Sequence, residues 1–244
     1  MSRFRLEELD RTPTPWGEVV LRRRLDPATL RVVHEIKLDD DYLMSSQFTA
    51  SEEALASVAL DALDGAGDRG LRVVVGGLGL GCTALRVLAD ARVEELLVVE
   101  ALQPVIDWHV SGLLPGTRGL VQDRRSQLRC ADFFDLVRKG QLGTGWDAVL
   151  VDIDHSPDHV LREDHADFYT AVGLHRVAAA LAPHGVLGLW SDDPPDPEVV
   201  ARLADCFGRV EDHVIVFDNE LTQGTSQCTV YLASGPTTAG AWPA

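Results

Sequence analysis

A glycine-rich turn and an acidic residue lie at the ends of two neighbouring predicted strands. The turn follows an apolar run, precedes a helical pattern, and consists of Gly76, Gly77, Leu78, Gly79, Leu80 and Gly81. Glycines let the backbone bend sharply and approach a ligand, while a helix N-terminus offers unpaired N–H groups. Glu100 and Ala101 end the next strand, where a carboxylate can accept hydrogen bonds from both hydroxyls of a ribose. Together the two features predict a nucleoside site.

The glycine spacing excludes the dinucleotide fingerprint. A G-x-G-x-x-G motif that starts at Gly77 needs glycine at position 82, which is Cys82. The spacing present, G-x-G-x-G, suits the shorter loop of folds that bind S-adenosylmethionine. A purely structural turn is the alternative, but the order of strand, turn, helix, strand and Glu100 favours the nucleoside.

Asp132 and Phe133 follow the third predicted strand. In such folds this position hydrogen-bonds the adenine amino group, so both residues join the predicted nucleoside site. A second interpretation is that Asp132 caps the helix that begins at Phe133, and the two roles are compatible.

Two acidic groups follow the fourth and fifth predicted strands. Asp152 and Asp154 end one buried run, and Asp192 and Asp193 follow the next. Because the carboxyl ends of parallel strands share an edge of the sheet, both groups should face one cleft. A carboxylate there can take a proton from an ammonium group or hold a cationic acceptor, so Asp152 and Asp154 are the predicted catalytic residues. The alternative is that they cap the following loop.

Histidines and aromatic residues offer further side chains for a site. His155, His159 and His165 could join a mixed metal site, but no ligand spacing supports one, so we interpret them as exposed loop residues and predict no metal. His109 on the second helix is interpreted as a surface or boundary residue. Candidates for the wall of an acceptor pocket, or for ordinary core packing, are Trp16, Tyr42, Trp108 and Trp190.

Strands and helices alternate from residue 71 onward, which predicts an α/β fold with a mostly parallel, Rossmann-like sheet. An antiparallel pair, 213–219 and 227–234, closes this sheet. One long helix is predicted over 164–181.

The segment before this alternation predicts two smaller features. Extended runs within residues 12–45 indicate an N-terminal β-hairpin, and a helix begins near Thr49, whose spacing to Glu52 predicts a capping box. We expect an N-terminal hairpin extension, a Rossmann-like nucleoside-binding catalytic domain and a flexible tail, with bounds 1–48, 49–235 and 236–244.

The charge and cysteine content of the chain limit the classes of partner and the location that we expect. Lys and Arg total 22 against 38 Asp and Glu, a net charge of -16, which disfavours nucleic acid and anionic membranes and attracts cations. The four cysteines form no CxxC pair, which favours reduced thiols. The N-terminus lacks an apolar leader pattern, so we expect a cytoplasmic protein.

The motifs DDDYLMSSQFTASEEALA, VVVGGLGLG, LLVVE, CADFFD and WDAVLVDIDHSP resemble, in this order, those of the spermidine synthases and their shorter bacterial relatives. The resemblance implies that the 76–81 turn holds the methionine-derived chain, Glu100 the ribose and Asp132 the adenine. It also implies that Asp152 deprotonates an amine acceptor and that Gln47 contacts the nucleoside.

Three features of the sequence depart from that family pattern. The Asp that family members carry inside the glycine loop is replaced here by Leu78 or Leu80, the Tyr-His-Glu motif of the first helix is absent, and the acceptor loop reads DIDHSP rather than D-S-S-D-P. The departures concern the aminopropyl chemistry rather than the nucleoside.

Three functions remain open at this point. The first is a spermidine-synthase-like transferase that uses S-adenosylmethionine or its decarboxylated form and passes a methyl or aminopropyl group to a small cationic acceptor, a polyamine being one candidate. The second is a Mg²⁺-dependent O-methyltransferase, and the third is a non-catalytic nucleoside-binding relative. A homodimer is one assembly to consider.

Overall fold

The computed structural model describes residues 6–63, 70–219 and 221–237, and within these ranges the chain forms two β-sheets. The smaller sheet comes first and has four antiparallel strands in sequential order. Its strands are β1 (Leu6–Thr14), β2 (Gly17–Leu25), β3 (Val32–Leu38) and β4 (Asp41–Ser45).

The larger sheet has five parallel strands and a closing antiparallel pair in the described residues. The parallel strands are β5 (Leu71–Gly76), β6 (Val93–Glu100), β7 (Ser126–Cys130), β8 (Trp146–Val151) and β9 (Leu181–Ser191). The antiparallel strands are β10 (Phe207–Asn219) and β11 (Gly224–Pro236), in the order β10-β11-β9-β8-β5-β6-β7. Strand β5 lies between β6 and β8, so the strand order reverses direction at β5. Ligands of open α/β sheets bind at such a switch point.

Helices cover both faces of the larger sheet. They are α1 (Ala50–Asp61), α2 (Cys82–Leu88), α3 (Gln103–Ser111), α4 (Arg118–Gln122), α5 (Phe133–Arg138), α6 (Ala171–Ala180) and α7 (Pro197–Ala204). One apolar core contains Leu55 of α1 and Val87 of α2, and a second contains Phe134 of α5 and Val177 of α6. The predicted Rossmann-like α/β fold and its closing antiparallel pair are confirmed.

The predicted N-terminal hairpin corresponds to β2 and β3, but it belongs to a larger sheet. Strand β1 pairs with β2 in an antiparallel register, and charged side chains cross this pair, including an ion pair between Glu7 and Arg23 at 2.8 Å. Since β1 carries charged residues on its partly exposed surface, it lacks the apolar alternation by which a strand is recognised.

The predicted helix over 164–181 is wrong in extent. A 3-10 turn covers Glu163–Tyr169, and α6 begins only after Thr170, whose extended backbone (φ −80°, ψ 162°) interrupts the helix. The Thr170 hydroxyl accepts a hydrogen bond from Gly173 N at 3.2 Å, so it caps a new helix.

The prediction of a capping box at α1 is also wrong, although the helix begins where expected. Thr49 makes no cap bond with its side chain and instead donates to Glu53 Oε1 at 3.1 Å. Glu52 is buried and turns toward the interior of the protein. The predicted flexible tail lies, from residue 238 onward, outside the described residues.

Two further findings concern the described part of the chain as a whole. None of its helices combines the length and apolar character needed to cross a bilayer. All four cysteines are free thiols, with Cys206 and Cys228 buried, Cys82 partly buried and Cys130 exposed.

Candidate functional site

A cavity of about 510 Å³ opens at the carboxyl ends of the parallel strands, between the larger sheet and the N-terminal sheet. The glycine turn and the start of α5 contribute one wall, and the acidic loops after β8 and β9 contribute another. The cavity therefore brings together several of the predicted site residues, which are Gly77, Gly79, Glu100, Ala101, Asp132, Phe133 and Asp152.

The glycine turn is held against the end of β8. Gly77 has φ +93°, and a Cβ at this position would collide with the backbone oxygen of Asp152. Only glycine allows this approach. The predicted residues Gly76, Leu78 and Gly81 shape the same turn but do not line the cavity.

Glu100 fixes the turn through backbone hydrogen bonds. Leu78 N donates to its Oε2 at 3.0 Å, and Leu102 N donates to its Oε1 at 2.9 Å. Burial raises the pKa of Glu100, and the backbone donors oppose that rise. The backbone N–H groups of Gly79 and Ala101 also face this carboxylate, and Glu100 lines the cavity, where it can accept hydrogen bonds from a ligand.

Two side chains outside the predicted site also hold the turn. His109 is buried rather than on the surface as expected, and its Nε2 lies 2.9 Å from the Gly79 carbonyl oxygen. Burial lowers the pKa of His109, which favours a neutral ring that donates to this carbonyl. On the other side, Met44 Sδ from β4 accepts a hydrogen bond from Leu80 N at 3.0 Å.

Asp132 caps α5 and faces the cavity at the same time. Its Oδ1 accepts from Asp135 N at 3.0 Å, which confirms the capping interpretation. Its second oxygen is not used by the cap, so it is available to a ligand amino group. Phe133 and Phe134 line the cavity beside it.

Gln47 lies apart from the cavity lining. It accepts a hydrogen bond from Arg24, and its Nε2 donates to Asp26 Oδ2 at 3.1 Å, within an ion network of the N-terminal sheet. In this arrangement the polar groups of Gln47 serve the sheet rather than the cavity.

Asp152 and Glu52 form an acidic pair at the cavity wall. Thr83 Oγ1 donates to Asp152 Oδ2 at 2.6 Å, and burial raises the pKa of Asp152 to about 6. Burial, together with the charge of Asp152, raises the pKa of Glu52 to about 7. Sequence reasoning missed Glu52 because capping spacing assigned it to the helix end.

Asp154 is buried and does not line the cavity. It accepts hydrogen bonds from Leu161 N at 2.8 Å, His165 Nδ1 at 2.8 Å and Tyr169 OH at 3.0 Å. The interpretation of His165 as an exposed loop residue is therefore wrong: it is fully buried and its ring packs on Phe134 at 4.2 Å. Asp154 organises this loop, and Asp152 is the carboxylate that faces the cavity.

The two aspartates after β9 have different surroundings. Asp192 lines the cavity and accepts from Cys228 Sγ at 3.5 Å, whereas Asp193 pairs with the exposed His159 at 3.0 Å. The described residues contain no cluster of three or more His, Cys, Asp or Glu arranged to hold a metal.

The predicted aromatic wall is partly present. Trp16, Tyr42 and Trp190 line the cavity, and Arg162 stacks over Trp16 at 4.7 Å. Trp108 instead lies in the core, where its Nε1 donates to Asp10 Oδ2 at 2.6 Å.

Carboxyl groups dominate the charge of the cavity. Among the described residues, one guanidinium, from Arg162, lines it, against the five carboxyl groups of Glu52, Glu100, Asp132, Asp152 and Asp192. A cleft of one sign concentrates ligands of the opposite charge, so this cavity favours cations.

Comparison with solved structures identifies the fold. Spermidine synthase from Thermotoga maritima superimposes with a TM-score of 0.72 at 19% identity, over 95% of this chain and 74% of that one. A spermidine synthase in complex with the transition state analogue AdoDATO gives 0.70 at 18%, over 95% and 73%. A probable spermidine synthase from Corynebacterium glutamicum gives 0.60 at 16%, over 95% and 81%.

No family model and no curated protein matches the sequence. The chain has the Rossmann-like fold of class I methyltransferases. Within that class, it has the fold of the spermidine synthases, and the resemblance expected from the motifs is confirmed at the level of fold.

Replacement by asparagine should change the free energy of unfolding in opposite directions at the two aspartates after β8, Asp152 and Asp154. Asp154→Asn should lower the free energy of unfolding by about 2 kcal/mol or more, because a side chain that accepts three hydrogen bonds is replaced by an amide with one acceptor oxygen. Asp152 has a raised pKa, so the stability that it contributes at low pH is lost as the pH rises through about 6. Asp152→Asn should therefore stabilise the protein, by about 1 to 2 kcal/mol above that pH.

Urea unfolding of both variants and the wild type, at one pH below about 6 and one above it, measures these changes in the free energy of unfolding. Equal destabilisation by both substitutions would contradict the separate roles assigned here.

Proposed function

We propose that this chain is a transferase that binds a decarboxylated S-adenosylmethionine-type nucleoside and transfers its aminopropyl group to a small amine. The observation that carries the proposal is the placement of Glu100, the Gly77 turn and Asp152 around one cavity. The spermidine synthase fold supports it.

The residues present fit a nucleoside. Glu100 would hold the ribose hydroxyls, Asp132 the adenine amino group, and the glycine turn the chain attached to the sulfur. Glycine at position 79 supports this assignment, because a Cβ there would lie 2.6 Å from Met44 Sδ and crowd the space over the turn.

The chemistry requires a neutral amine in a cavity that restricts water. When bound, the nucleoside supplies a carbon activated by its sulfonium, on which the amine forms a C–N bond while the C–S electron pair leaves on sulfur. Asp152 takes the proton that the ammonium must lose first, and its raised pKa makes it a stronger base than an exposed carboxylate. Alignment of the two partners in the cavity supplies much of the acceleration, since orientation contributes up to about 7 to 11 kcal/mol.

The charge of the cavity favours the decarboxylated nucleoside over S-adenosylmethionine itself. The carboxylate of S-adenosylmethionine would meet a wall of carboxyl groups, with Arg162 as the cationic residue among the described lining. The decarboxylated compound carries a sulfonium and an ammonium, both of which this wall attracts.

Methyl transfer is the second candidate, and one observation favours it. The loop carboxylate that would pair with the aminopropyl ammonium is absent, and Met44 Sδ lies against Leu80 N at that place. Titration calorimetry with S-adenosylmethionine, its decarboxylated form and methylthioadenosine separates the candidates. Tighter binding of the decarboxylated form supports aminopropyl transfer, and preference for S-adenosylmethionine supports methyl transfer.

Glu100→Gln should weaken binding of methylthioadenosine by about tenfold or more, because an amide oxygen accepts fewer and weaker hydrogen bonds than a carboxylate. Calorimetry measures the affinity, and Glu95→Gln on the same strand, at a half-exposed position away from the cavity, is the matched control. Unchanged affinity in a folded Glu100→Gln variant would remove Glu100 from the ribose site.

Asp152→Asn should retain nucleoside binding and lose turnover. In the wild type, the basic form of Asp152 accumulates as the pH rises, so kcat should increase through about pH 6 and then level off. The pH profile of product formation with a diamine acceptor measures both effects. Full turnover in the Asn variant would exclude Asp152 as the base.

A further inference from the structure

Glu52 occupies an unusual place for a residue in the first turn of a helix. Its side chain keeps 8% of its surface exposed and faces the cavity rather than solvent. Ser51 Oγ donates to its Oε2 at 2.8 Å, which sets the direction of the carboxyl group. Its neighbour Glu53 is exposed and hydrogen-bonds Thr49 instead.

Thr83 links Glu52 to Asp152. Its Oγ1 donates to Asp152 Oδ2 at 2.6 Å and lies 3.2 Å from the backbone oxygen of Glu52. The contact ties α1, α2 and the end of β8 together. Within the described ranges, neither carboxyl group has a Lys, Arg or His partner, although buried charges are normally paired.

Two carboxyl groups in such proximity resist double ionisation. Burial raises the pKa of both groups, and the charge of Asp152 raises that of Glu52 further, so the pair retains a proton to a higher pH than an exposed carboxyl group does. The other titratable groups that face Glu52 are Cys82 of α2, Glu53 and Cys228 of β11. The pKa of both thiols is raised to about 12, chiefly by burial, so they stay protonated and do not compensate the pair.

We infer that Glu52 and Asp152 act together as the binding site and proton acceptor for the ammonium group of a primary alkylamine. This inference rests on the proposed function and adds Glu52, which the family resemblance does not assign. Two carboxyl groups that lack a basic partner provide the counter-charge that an ammonium needs, and Asp192 on the same wall adds to it.

The proton transfer balances within this pair. The alkylammonium gives one proton to the ionised member, which leaves a neutral amine with a free lone pair and a pair of protonated carboxyl groups. The amine lone pair then forms the new bond to carbon. After the product leaves, the pair returns its proton to water.

Glu52→Gln tests the inference, because Gln keeps the shape and the Ser51 hydrogen bond but removes the charge. Glu53→Gln, one residue further on the exposed face, is the control. Binding of putrescine and of its neutral analogue butanediol to the three proteins should be compared by calorimetry above pH 7. We expect Glu52→Gln to weaken putrescine binding by about tenfold or more, with the affinity of Glu53→Gln unchanged. Butanediol should not distinguish the proteins.

A measurement without any ligand tests the shared titration. Because both carboxyl groups have raised pKa values in the fold, the stability that they contribute at low pH is lost as the pH rises through about 6 to 7. The thermal midpoint of the wild type and of Glu53→Gln should therefore fall over this range, and Glu52→Gln should flatten the fall. The rising limb of kcat should also move to lower pH in Glu52→Gln.

Three results would overturn the inference. One is an unchanged pH dependence of the thermal midpoint in Glu52→Gln. Another is equal putrescine affinity in Glu52→Gln and Glu53→Gln, and the third is equal affinity for putrescine and butanediol. Failure of the proposed function is separate, since it would appear as absent nucleoside binding in the wild type while the ligand-free titration of the pair is still measured.

Discussion

The approach of the glycine turn to the end of β8 is the constraint on which the rest of the site depends. Gly77 brings the turn against the backbone of Asp152, and Glu100 holds it there through Leu78 N and Leu102 N. One short segment thus links the strand that ends in Glu100 to the strand that directly precedes Asp152. The two halves of the proposed reaction, nucleoside binding and proton removal, are positioned by the same backbone contact.

The N-terminal sheet and α1 complete the cavity. Met44 of β4 contacts the glycine turn at Leu80 N, and Glu52 of α1 adds a carboxyl group to the cavity lining beside Asp152. This placement favours a cavity that recognises a cationic acceptor through two carboxyl groups.

The sequence predicted the parallel strands and the turn because buried β-branched runs and glycine spacing are local signals. Strand β1 was missed because charged residues such as Glu7, which pairs with Arg23 of β2, replace the apolar alternation by which a strand is recognised. His165 and His109 were misjudged for another reason. Their burial depends on partners distant in sequence or across a turn, Asp154 and the Gly79 carbonyl, which no local pattern reveals.

A crystal structure with methylthioadenosine would locate the nucleoside relative to Glu100. We expect both ribose hydroxyls within about 3 Å of the Glu100 carboxylate while Leu78 N and Leu102 N keep their hydrogen bonds to it. We also expect the sulfur above the glycine turn, facing Asp152. A nucleoside bound elsewhere, or one whose ribose does not contact Glu100, would contradict this expectation.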